Sequence, residues 1–195
     1  MTQLFSPRAD RRLRGLLVMA AAALVLAAMA AFAWSRSDGA WRIGQPAAQP
    51  IPFSHAIHAG QIGLDCRYCH ATVEHAAEAG MPTAETCLGC HSRVWNVGAQ
   101  FAPLETALRL GTPVTWSSVH RLPEHVRFHH AAHIGAGVAC ATCHGAVETM
   151  PRTVKAATLS MGWCLGCHRD APAATPTRHQ GVEISALTNC STCHR

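Results

Sequence analysis

Cys66-Arg67-Tyr68-Cys69-His70 is the key to this chain, because its pattern returns at Cys87/Cys90/His91, Cys140/Cys143/His144, Cys164/Cys167/His168 and Cys190/Cys193/His194. The five Cys-x-x-Cys-His motifs consume all 10 cysteines. The spacing is that of covalent c-type haem attachment: two thiols add to the two vinyl groups of one porphyrin, and the adjoining histidine is left beneath the ring to ligate iron. A disulfide framework has no need of His after every second Cys, and structural zinc built from paired Cys-x-x-Cys half-sites needs an even number of them. The motifs therefore predict five haem c groups, with the ten thiols as attachment points and His70, His91, His144, His168 and His194 as proximal ligands.

The rest of the composition follows from that count. In 195 residues there are only five Phe and one Tyr, too few for an ordinary side-chain core, so stacked haems are expected to serve as the core. The fold class predicted is mainly α with much irregular loop: short helices carrying each motif, long connections and almost no sheet. The formal charge of +5 is offset once propionates are counted, since five haems bring about −10 from carboxylates and about +5 from oxidised iron. Lys and Arg are scattered apart from Arg8, Arg11, Arg12 and Arg14, which excludes a nucleic-acid-binding reading.

That cluster precedes Gly15 to Trp34, GLLVMAAAALVLAAMAAFAW, an uninterrupted apolar run. At about 1.5 Å per residue it matches the ~30 Å hydrocarbon thickness of a bilayer. Residues 1–14 then read as a basic cytoplasmic N-terminus, 15–34 as a transmembrane anchor, 35–50 as a linker and 51–195 as the haem domain on the periplasmic side of the bacterial inner membrane. The competing reading is a cleaved export signal, with Ala31-Phe32-Ala33 as the processing site; a mature chain beginning near Trp34 would establish it. The first cysteines fall at 66, 87, 140, 164 and 190, and the long gap after the second motif divides the domain into a front lobe, 51–100, and a rear lobe, 120–195.

Nine histidines lie outside the motifs: His55, His58, His75, His120, His125, His129, His130, His133 and His179. An isolated loop histidine is ordinarily a solvated polar residue. Phe53-Ser54-His55-Ala56-Ile57-His58 and Phe128-His129-His130-Ala131-Ala132-His133 are different, since both match Phe-x-His-x-x-His upstream of a haem motif. Histidines at i and i+3 on one turn can splay towards two haems and tie them together.

This pairing of motifs resembles the class III, low-potential multihaem cytochromes c. The resemblance implies that His55 ligates the haem of His70, that His130 ligates the haem of His144, and that His58 and His133 serve two others. From Ile51 to Arg195 the strings IPFSHAIHAG, LDCRYCHATVE, TPVTWSSVHRLPEHVRFHHAAH, CATCHGAVETMP, MGWCLGCHR and LTNCSTCHR are similar to the pentahaem cytochrome subunit of alternative complex III. That similarity implies an electron-transfer subunit of a quinol-oxidising membrane complex. Its partners would be iron–sulfur and polytopic membrane subunits, membrane lipid, and a cytochrome c or haem–copper oxidase as acceptor. His129 stands where the family pattern calls for Asn, and the segment between the last two motifs is short.

Four distal histidines for five irons leave one ligand to find, and Met150, Met161 and His120 are the candidates, with Met81 behind them. A thioether ligand would raise that haem's potential relative to bis-histidine ligation. The alternative reading of the whole is a membrane-anchored multihaem quinol dehydrogenase feeding a periplasmic reductase. A nitrite- or hydroxylamine-converting enzyme would need an open iron site, and no Cys-x-x-Cys-Lys is present.

Overall fold

The computed structural model describes residues 6–95, 98–170 and 184–194. His179 and much of the segment between the last two motifs lie outside those residues. The chain divides into two compact units, one running to Ile43 and one from Gly44. As expected, the architecture is helical and loop-rich, with one apolar N-terminal helix. Among the described residues no strand forms, and the nearest thing to one is an isolated antiparallel bridge between Val126 and His194.

The first unit is dominated by α1, Pro7–Ser35, 29 residues long. It begins eight residues before the apolar run because Ser6 caps it, its hydroxyl accepting from the Ala9 amide, while Pro7 occupies the first turn, where no intrahelical donor is missed. Asp10 and Arg14 pair at 2.9 Å one turn apart. The helix is long and apolar enough to cross a membrane, and none of its residues is buried within the protein. A short turn, α2 (Asp38–Trp41), follows, capped by Ser37.

In the second unit each Cys-x-x-Cys-His sits on a short helix: α3 (Cys66–Cys69), α4 (Ala84–His91), α7 (Cys140–His144), α8 (Met161–Arg169) and α10 (Cys190–Cys193). One α-turn brings residues i, i+3 and i+4 to the same face, which is how both thiols and the histidine come to meet one porphyrin. Three of these helices are nucleated by side-chain caps. Asp65, Ser160 and Asn189 accept from the amides of Arg67, Trp163 and Ser191. The remaining helices are α5 (Ala102–Leu110), α6 (His130–Gly135) and α9 (Ile184–Leu187).

The polypeptide's own apolar core is small. Ile51, Ala84, Phe101, Leu104 and Ala107 form it, with Cys87, Leu88, Val114 and Trp116 packed against it. Leu104 and Ala107 come from α5 and Phe101 is its N-cap, so an amphipathic helix occupies part of the long inter-motif gap that the sequence reading left as connection. Gln49 closes the same region by clamping Ser117: its amide donates to the Ser117 carbonyl at 2.8 Å and its oxygen accepts the Ser117 amide at 2.9 Å.

Front and rear segments interlock. The turn Ala56–Gln61, wound as a single π-helical turn, docks on the short 3₁₀ turn Val147–Thr149. The Ala56 amide donates to the Met150 carbonyl, and Gly60 lies so close to the Glu148 carbonyl that no side chain fits between them. In return, the amides of His130 and Ala131 donate to the carbonyls of Ala77 and Ala76.

Candidate haem-ligating site

Histidines outside the motifs lie opposite histidines inside them. The His58 and His91 rings are 5.9 Å apart between centroids, His133 and His168 6.0 Å, and His130 and His144 6.3 Å with the planes only 10° from parallel. His55 has His70 as a close neighbour: burial, then His70, then His58 lower its pKa. An iron held between two imidazole nitrogens at about 2 Å on each side, with ring centres about 1 Å further out, sets centroids roughly 6 Å apart. The observed spacings fit that separation.

Backbone carbonyls fix which nitrogen is offered. The Nδ1 atoms of six histidines lie within hydrogen-bond reach of a carbonyl oxygen: His58 with Ser54 at 2.9 Å, His70 with Gly80 at 2.7 Å, His91 with Val94 at 3.2 Å, His130 with Ala77 at 2.7 Å, His133 with His129 at 2.9 Å and His168 with Leu187 at 2.8 Å. A carbonyl can only accept, so Nδ1 carries the proton and Nε2 keeps the lone pair a metal needs. His55 reaches the Thr153 hydroxyl through Nδ1 at 2.9 Å. Gly80, at φ +74, cannot be replaced without cost: a Cβ there would fall 2.7 Å from Thr72 Oγ1, on the loop that presents the carbonyl to His70.

Each Phe-x-His-x-x-His is a rigid three-ring unit. Phe53 meets His55 edge-on and stacks on His58, and Phe128 does the same with His130 and His133. Burial lowers the pKa of His133 and of His144, favouring the neutral imidazole that can ligate.

Thiols of different motifs are also neighbours. Burial, followed by the neighbouring Cys140, Cys69, Cys167 and Cys193 respectively, raises the pKa of Cys66, Cys87, Cys143 and Cys164. All ten cysteines are free thiols, none paired with its motif partner.

Cys66, Cys90, Cys140 and Cys190 are exposed, and the other six are half-buried. Cys90 is one of the four exposed thiols. Its motif partner Cys87 packs against the small apolar core, whereas Cys90, at the last turn of α4 beside Gly89, gains no cover from it. Exposure of this kind leaves the sulfur accessible to a vinyl group, so Cys90 keeps its place as a candidate attachment point without being a core residue. Free thiols at this spacing and opposed imidazoles of fixed tautomer together fit haem c.

Of the candidates for the last ligand, Met161 is 65% exposed at the start of α8. Met150 offers its carbonyl to Ala56, and its Cε lies near Gly145. His120 packs edge-on against His144, centroids 4.4 Å apart, its pKa pushed down to about 4 by burial, with His144 and Lys155 adding. The ring facing His194 is instead that of His125, at 5.6 Å and 17°. No motif marks His125 in the sequence; the only signal was that histidine pairing left one site short. His75 and His129 are exposed, although the His129 carbonyl serves His133.

Residues 126–195 match the family described as cytochrome c7 and related cytochrome c. With that match, this chain carries the motifs and the opposed imidazoles that characterise multihaem cytochromes c, which are haem-bearing electron-transfer proteins. It is similar to the menaquinone reductase multiheme cytochrome c subunit of Nitratidesulfovibrio vulgaris (strain Hildenborough), 29% identical over 155 residues, spanning 75% of this chain and 67% of that one.

Proposed function

We propose that this chain is the five-haem electron-transfer subunit of a quinol-oxidising membrane complex of the alternative complex III type. The observation that carries the haem count is the set of five Cys-x-x-Cys-His turns, each bearing free thiols beside a histidine that another histidine approaches. The strings from Ile51 to Arg195 support the type of complex.

Bound haem supplies reversible one-electron chemistry at iron. The chain's residues do the rest. The ten thiols, from Cys66 and Cys69 through Cys87 and Cys90 to Cys190 and Cys193, would hold the porphyrins through their vinyl groups. His70, His91, His144, His168 and His194 would ligate iron as proximal ligands, and His55, His58, His130 and His133 would serve as distal ligands to four of the haems through Nε2. The Nδ1 hydrogen bonds hold the rings in orientation and raise their basicity as ligands. With an imidazole on each side, a bound haem would offer no open site for a substrate, which favours transfer over bond-making.

We further assign residues 1–14 to the cytoplasm, 15–34 to the inner membrane, 35–50 to a linker and 51–195 to the periplasmic haem domain, because Arg8, Arg11, Arg12 and Arg14 precede the apolar span. Partners on this reading are iron–sulfur and polytopic membrane subunits, with a cytochrome c or haem–copper oxidase as acceptor. The test is gentle solubilisation of native membranes, isolation of the chain by haem stain and identification of what accompanies it. Co-purification with iron–sulfur and large polytopic subunits is expected; recovery with a periplasmic reductase would overturn the assignment. The relative's name favours a second reading, in which the complex delivers electrons to menaquinone. Quinone reduction by the isolated complex, without quinol oxidation, would establish that direction.

A further inference from the structure

We infer that His125 is the fifth distal ligand, opposite His194, so that every iron is held between two imidazoles and no methionine takes part. The inference rests on the five-haem reading above and deepens it. Its basis is geometric. The His125 and His194 rings are 5.6 Å apart and 17° from parallel, alongside 6.3 Å and 10° for His130 and His144.

Backbone hydrogen bonds set this pair. Val126, next to His125, forms the antiparallel bridge with His194, and the Arg127 amide donates to the Cys193 carbonyl at 2.7 Å. The Val126 amide donates back to Pro123 at 2.9 Å, closing the turn that carries His125. A bridge between the residue after one imidazole and the other imidazole's own residue fixes their register, as cross-strand neighbours do in a sheet. The segment then continues directly into Phe128, His130 and His133. Three distal ligands thus come from the short stretch 125–133, which binds the third, fourth and fifth attachment turns together.

The other candidates are placed elsewhere. His120 lies against His144, which already faces His130. Met150 is engaged beside the third motif through Ala56 and Gly145, and Met161 is exposed. His125 is itself exposed, and among the described residues no Nδ1 partner is seen for it, unlike His55, His58, His70, His91, His130, His133 and His168. The fifth site is therefore the least constrained.

The experiment uses the full-length, haem-loaded chain as wild type, His125→Met, His125→Ala, Met150→Leu and Met161→Leu. Intact mass counts haems, and near-infrared magnetic circular dichroism of the oxidised protein reports axial ligands. Wild type is expected to carry five haems and show bis-imidazole signatures alone. His125→Met should keep five haems and gain a thioether-to-iron band from one of them; His125→Ala should convert one of the five to a high-spin form that added imidazole restores. Both Met→Leu variants should match wild type. A thioether band in wild type that either Met→Leu variant abolishes would overturn the inference, as would an unchanged spectrum in a five-haem His125→Ala protein. Fewer than five haems in wild type would instead overturn the reading beneath it.

Discussion

The two Phe-x-His-x-x-His segments give nearly the same local geometry by different backbone routes. In the front segment Phe53 meets His55 at 4.8 Å and 88° and His58 at 4.4 Å and 27°; in the rear, Phe128 meets His130 at 4.7 Å and 89° and His133 at 4.5 Å and 29°. Yet the front pair enters a π-helical turn, Ala56–Gln61, and the rear pair an α-turn, His130–Gly135. The ring triplet, not the helix type, is what the motif specifies. Support is exchanged between the segments: His55 is held by Thr153 from the rear part, and His130 by Ala77 from the front. Each half supplies what orients the other's ligand, so the two should form together.

That reciprocity can be broken most severely at Gly60. A Cβ there collides with the Glu148 backbone, which has no side chain to move aside. Gly60→Val is expected to cost about 3 kcal/mol, the upper range for overpacking, read by denaturant unfolding of the holoprotein. It should perturb ligation at His55 more than at His130. Truncating the central rings comes next. Phe53→Ala and Phe128→Ala should each cost about 2 kcal/mol, below the full-burial range because both rings are only half-buried. Equal losses uphold the equivalence of the segments, whereas a difference of more than about 1 kcal/mol would mean the surroundings dominate.

A finer comparison concerns the two anchors. Thr153→Val removes the hydroxyl tied to His55 and should cost about 1 kcal/mol, with a shift in the potential of one haem by redox titration. Thr153→Ser should restore both. The carbonyl that holds His130 has no such side chain to delete, so the rear anchor is the more mutation-resistant. The smallest effect is expected at Arg67, whose pairs with Asp65 at 3.6 Å and Glu74 at 2.8 Å are solvent-exposed. Arg67→Ala should change thermal stability by less than about 1 kcal/mol at moderate salt and leave the haem spectra untouched.

How much of this was legible in the sequence depends on the range of the interaction. The attachment turns are local: Cys66 to His70 spans one helical turn, so spacing alone reveals it. Each Phe-x-His-x-x-His is equally local, whereas its pairing with particular haem motifs was available only as what the family resemblance implies. Spacing does not report cover, however, and the different surroundings of Cys87 and Cys90 within one motif could not be read from it. His125 was missed because its meaning arises only when Val126 bridges to His194, far along the chain, and such a contact leaves no periodic trace. Helix α5 was missed because it is short, with Pro103 in its first turn and Gly111 at its end, and only Leu104 and Ala107 among its apolar residues are buried. The influence of Cys140 on Cys66 was equally hidden, since it links motifs that are not consecutive in the chain. Met150 and Met161 stayed open as candidates for a related reason: composition alone cannot separate a ligand from a gap-filling thioether.

The proposed electron-transfer role depends on five haems being held covalently by one chain, and intact-mass spectrometry of the chain extracted from its native membrane is the decisive test. The expected value is the polypeptide mass plus five haem increments, with the apolar N-terminal helix retained. A mass showing four increments or fewer would refute the five-haem assignment.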